Sequence, residues 1–138
     1  MPFEISWHDP EKTIIVIRIR GQIAEWEEHH AAFKKARELI TSTPQPIYAL
    51  ITSDSTARMP RKGSSLPHLS YNVSNIPENL KLVVSMIETP VERLMVDVIK
   101  AANRRKPVYD KLTSATSLPR AFALIAKHRD DLNSTSQL

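Results

Sequence analysis

Hydrophobic and polar positions change period several times along the chain. Residues 3–7 alternate, with Phe3, Ile5 and Trp7 on one face and Glu4 and Ser6 on the other, the pattern of a half-buried strand. His8-Asp9-Pro10-Glu11-Lys12 follows with turn chemistry, and the next run, Ile14-Ile15-Val16-Ile17-Arg18-Ile19, is almost continuously apolar and rich in β-branched residues. That composition predicts a strand covered on both faces. The two runs together predict a β-hairpin, closed at Gly21.

From Ala24 the period becomes helical: Trp26, His30, Phe33, Ala36 or Arg37, and Ile40 recur on one side, while Glu27, Glu28, Lys34, Lys35 and Glu38 fall largely elsewhere. The spacing predicts an amphipathic helix of about four to five turns. Pro44 and Pro46 end it, because proline lacks the backbone N–H that a helix interior needs. Residues 47–51 and 80–87 read as buried strands. Between them, residues 52–79 are irregular, with a short helix expected over 65–71. A second long helix begins at Pro90, with Val91, Leu94, Met95, Val98 and Ala102 as its apolar stripe. Residues 108–112 predict a last short strand, and Ser117 an N-cap for a final helix carrying Leu118, Ala121, Phe122, Ile125 and Leu132.

The order is therefore β-β-α-β-α-β-α-β-α, the second α being the short one. Strands alternating with helices after an opening hairpin predict an α/β domain: a mostly parallel sheet with one antiparallel edge strand, and helices packed on it. Residues 1–132 form this single domain, and 133–138 are expected to be a disordered polar tail.

Composition narrows the chemistry. The 138 residues contain no cysteine and only two glycines, Gly21 and Gly63. Disulfides, thiolate metal sites and a cysteine nucleophile are excluded. A dinucleotide fingerprint, a P-loop and a nucleophile elbow each need clustered glycines, so they are excluded too. Net charge is +4, which favours acidic partners weakly. There is no apolar run long enough to cross a membrane and no leader-like start, so a cytoplasmic protein without a membrane span is expected.

The opening hairpin with Trp7-x-x-Pro10-x-x-Thr13, the long helix beginning near Glu25-Trp26 and the order of the elements resemble the STAS domain. The type member of that family is the bacterial anti-sigma-factor antagonist, and the likeness is greatest to single-domain bacterial STAS-like proteins. It spans residues 3 to about 130 and rests on element order and patterning. In the antagonists a serine after the third strand, in Asp-Ser-Ser/Thr-Gly, is phosphorylated by a partner kinase. Asp54-Ser55-Thr56-Ala57 stands at that place, so the resemblance implies Ser55 as acceptor with Thr56 beside it. Ala57 replaces the family's glycine, and Arg58 and Pro60 alter the approach to the next helix.

Other constellations carry less. Glu27-x-x-His30 has the spacing of a di-iron ligand pair, yet the second copy that such a site requires is missing. No metal or other cofactor is expected. A Ser-His-Asp set can be drawn from Ser55 or Ser65, His68 and Asp54 or Asp97, but without an oxyanion-hole motif it predicts no hydrolase, and no enzyme is expected. Arg58, Arg61 and Lys62, with Arg104 and Arg105 further on, are the candidate anion- or partner-binding cations. The few aromatics look like core, so no nucleic-acid partner is expected. The expected function is a non-catalytic regulatory or interaction module that presents residues 52–76 to a protein partner. The alternative is a carrier or sensor of a small anionic or apolar, lipid-like ligand under the same loop. A homodimer through the hairpin edge is compatible with either.

Overall fold

The computed structural model describes residues 2–61, 67–68, 71, 76–87 and 90–136. Five strands, β1 (Phe3–Trp7), β2 (Ile14–Ile19), β3 (Ile47–Ser53), β4 (Leu80–Met86) and β5 (Leu112–Ala115), form one sheet in sequence order. β1 pairs antiparallel with β2 and every later pair is parallel. The helices are α1 (Trp26–Thr41), α2 (Pro90–Ala102) and α3 (Leu118–Ser136). The chain is thus an α/β protein with a mostly parallel sheet and one antiparallel edge pair.

The double-sided apolar run of β2 is explained by two separate cores. Ile15, Ile17 and Ile19 face Ala36 and Ile40 of α1, whereas Ile14 and Val16 face Ala121 and Ile125 of α3. β3 divides in the same way, Ile47 and Ala49 to the α1 side and Tyr48 and Leu50 to the α3 side. The hairpin turn is held by Asp9, whose carboxylate accepts the Thr13 N–H (3.0 Å), the Ile14 N–H (3.0 Å) and the Thr13 hydroxyl. Lys12 supplies the left-handed residue that this turn requires, at φ 58°. At the same end of the sheet, the Asn79 side-chain amide donates to Ile40 O and Thr43 O, both at 2.8 Å, closing the C-terminal end of α1.

Four expectations change. The last strand is Leu112–Ala115, preceded by a 3-10 turn over Pro107–Lys111, because Pro107 sets a turn before the chain can extend. The inner histidine of α1 is His29, 1% exposed, and not His30. Trp26, His29, Phe33, Ala36 and Ile40 make the better stripe at 3.6 residues per turn. On α2, Leu94 (64% exposed), Val98 (39%) and Ala102 are exposed, Val96 and Ile99 are half-buried, and Asn103, just past the helix end, is fully buried. Apolar residues at 94, 96, 98 and 99 span more than one face of this helix, so periodicity left its rotation ambiguous by about one residue. Finally, α3 continues through Asn133 to Ser136, where a disordered tail was expected. Pro67, His68 and Tyr71 have helical backbone where the short helix was expected, and the remainder of that segment lies outside the described residues.

Candidate functional site

The loop leaving the C-terminal end of β3 is built by hydrogen bonds that its composition suggests only in part. Asp54 Oδ1 accepts the Thr56 N–H at 2.9 Å and the Thr56 hydroxyl at 2.6 Å, a local Asx-type turn. The hydrogen bond from Thr56 holds the Asp54 carboxyl below the usual carboxylate range, with help from the Arg20 charge. Thr56 Oγ1 in turn accepts the Gly21 N–H at 2.9 Å. Arg58 N–H donates to Gly21 O and Ile23 N–H donates to Arg58 O, each at 2.9 Å. The Gln22 side chain donates to Met59 O at 3.0 Å. The end of β2 and the end of β3 are thereby sewn together beyond the sheet. Gly21 makes this possible at φ 73°, a conformation that costs an L side chain roughly 1 kcal/mol or more.

Within this lattice the predicted residues have different standings. Thr56 is fully engaged, its hydroxyl donating to Asp54 and accepting from Gly21. Ser55 is exposed at the tip of the turn. Arg58 folds back on the loop, its Nη1 donating to Ser55 O (2.9 Å) and Ala57 O (2.8 Å). Its first role is structural. Ala57 has no left-handed backbone, since Lys12 is the one non-glycine among the described residues with positive φ. Arg61 is exposed beyond the buried Pro60, and Lys62 lies outside the described residues. Arg104 and Arg105 are exposed in the turn after α2. That turn precedes the N-terminal end of β5, whereas Arg58 and Arg61 follow the C-terminal end of the parallel β3. The two cation sets stand at opposite ends of the sheet and form no single patch.

Beside the loop, a groove of about 420 Å³ runs over the C-terminal ends of the strands on the α3 side, its rim carrying Arg18, Arg20 and Asp54 and its floor Leu50, Met86 and Phe122. His8 packs on Phe122 with ring centroids 4.6 Å apart. Ligand sites of parallel sheets favour this end of the strands. Arg18 and Arg20 were the signal available in the sequence: two cations at alternate positions where an apolar strand ends. On the opposite face, the apolar space among Phe33, Arg37, Ile51 and Ile76 is about 30 Å³, the share of one water molecule.

A third cluster joins α1 to the segment around residue 68. His68 stacks on Trp26 at 4.6 Å and 9°, and its Nδ1 lies 2.9 Å from His30 Nε2. Tyr71 meets His30 edge-on. His29, stacked on Phe33 at 4.7 Å, has its pKa lowered to about 4, chiefly by burial and further by His30 and His68. Of the residues drawn into a catalytic set, His68 pairs with His30 and Asp54 with Thr56, and Ser65 lies outside the described residues. Among the described residues no three His, Cys, Asp or Glu side chains form a group able to hold a metal ion, and no helix is long and apolar enough to cross a membrane. No family model matches the chain, and no curated protein matches it.

Proposed function

We propose that the chain is a non-catalytic regulatory or protein-interaction module of STAS-like type, presenting residues 54–61 to a protein partner. The observation that carries this reading is the lattice between Gly21, Thr56 and Arg58. It holds an exposed serine in a defined conformation at the C-terminal end of a parallel sheet, with the exposed Arg61 further along the same loop. A prearranged loop loses less conformational entropy on binding than a free one. Ser55 rather than Thr56 is the acceptor in this reading, because phosphorylating Thr56 removes the donor to Asp54 and sets two anionic groups side by side.

The test is a photoreactive side chain placed at Ser55 or, as control, at the exposed Lys35 on α1. In extract of the source cells, a discrete polypeptide adduct forms at position 55 and not at 35. Equal labelling at both positions would defeat the reading. A second reading, a carrier or sensor of a small anionic ligand, is favoured by the groove with Arg18 and Arg20 on its rim. Native mass spectrometry of freshly purified protein distinguishes the two: a retained small molecule, lost on Arg18→Glu, supports the carrier.

A further inference from the structure

The sheet has two edges, and β5 is one of them: among the described residues only β4 pairs with it. Ala115 O accepts the Ile87 N–H at 2.9 Å, so the backbone polar groups of Ala115 turn toward β4. Alternation along a strand turns those of Ser114 outward, where they can pair with another chain. A groove of about 460 Å³ lies along this edge, lined by Ser114 and Thr116, by Arg93 of α2, and by Arg120, Leu124 and Lys127 of α3. All three cations are exposed. None of them is in an ion pair among the described residues, since both pairs there belong to Glu4. No carboxylate is among the described residues lining the groove.

These observations select the occupant. Arg120 and Lys127 are two turns apart on one helix, about 10.5 Å at 1.5 Å per residue. That is too far to clamp one phosphate, and it matches the reach of an extended chain over three to four residues. A second copy of this edge brings the same three cations against themselves. A chain with acidic side chains at alternate positions meets the backbone of Ser114 and the cations together.

We propose that the β5 edge binds an extended acidic segment of a protein partner by strand addition, with Arg93, Arg120 and Lys127 receiving its carboxylates. This site is separate from the 54–61 loop and stands or falls independently of it.

The probe is a fluorescent, amide-capped heptapeptide alternating glutamate and valine, titrated into the whole chain and followed by anisotropy. Saturable binding is expected. Arg120→Glu with Lys127→Glu weakens it by at least about tenfold. Arg104→Glu with Arg105→Glu makes the same change in net charge at the other end of the sheet and leaves binding within about twofold. Methylating the peptide nitrogens at one alternate set of positions abolishes binding, because it removes the donors of a β-ladder. The proposal is overturned by absence of binding, by equal loss in both double variants, or by binding that ignores N-methylation. Displacement by an equal concentration of sodium tripolyphosphate would instead make the groove a small-anion site. A dimer in sedimentation that dissolves on Arg120→Glu with Lys127→Glu would assign the edge to a second copy; both results also overturn the proposal.

Discussion

The two edges of the sheet are finished in opposite ways. At β1, Glu4 is paired with Arg20 and lies 3.7 Å from Arg18, so the strand's one carboxylate is paired within the hairpin. Phe3 meets the buried His29 of α1 at 5.5 Å, edge to face, and Asp9 ties the turn. At β5 the strand has four residues, and the neighbouring cations have no anionic partner among the described residues. The contrast teaches where each edge's charge is met: by a pairing inside the chain at one side, and by no carboxylate among the described residues at the other. It follows that acid should loosen the β1 side, and that salt and acidic partners should act on the β5 side.

The largest expected effect is at His29. Its folded pKa is about 4 against an ordinary 6.5, so the unfolded chain binds the extra proton between those values. The stability due to neutral His29 is complete above pH 6.5 and is lost as pH falls toward 4, by about 3 kcal/mol in all. Chemical denaturation at pH 7 and pH 4.5 should show most of that loss, and His29→Phe should remove this dependence. An unchanged pH slope in the variant would show that the acid sensitivity lies elsewhere.

Asp9 comes next. Burial raises its pKa, but the bonds from Thr13 and Ile14 outweigh this and hold the carboxyl below its ordinary value of 3.8. Its contribution is therefore present above pH 3.8 and lost as pH falls through the lower folded value. Asp9→Ala should cost roughly 1–2 kcal/mol at pH 7, read as a lower denaturation midpoint, with earlier hydrogen exchange at β1 than at β4. Glu4→Ala, which unpairs an exposed cluster, should cost roughly 0.2–1 kcal/mol and less in high salt. The smallest effect belongs to β5: Arg120→Glu should change stability by no more than about 0.5 kcal/mol while weakening the acidic peptide. A large destabilisation there would mean that these cations hold the fold and not a partner.

Much of this architecture was legible because it rests on local rules. Alternation at Phe3, Ile5 and Trp7, β-branching at 14–19 and the prolines at 44 and 46 each act within a few residues. The rotation of α2 was not legible, since Leu94 and Ile99 are equally apolar and only packing decides which is the more covered. The His29–His30 choice failed similarly, with two identical side chains side by side. At the loop, the Asp54–Thr56 turn was readable as turn chemistry. Its bond to Gly21, 35 residues away, was not, because the ends of neighbouring parallel strands meet only once the sheet has formed.

By itself the sequence determined the α/β class, the hairpin, the alternation of strands and helices, and the absence of cysteine and glycine-rich chemistry. These follow from periodicity and from side-chain inventory, which are properties of short stretches of chain. The tertiary structure alone decided that Arg58 braces a loop, that Arg104 and Arg105 stand at the far end of the sheet from it, and that Arg93, Arg120 and Lys127 converge at an open edge. Those are relations between distant residues, and the physical reason is parallel pairing: each crossover returns the chain to the same end of the sheet before the next strand begins, so separation in sequence says nothing about which charges meet.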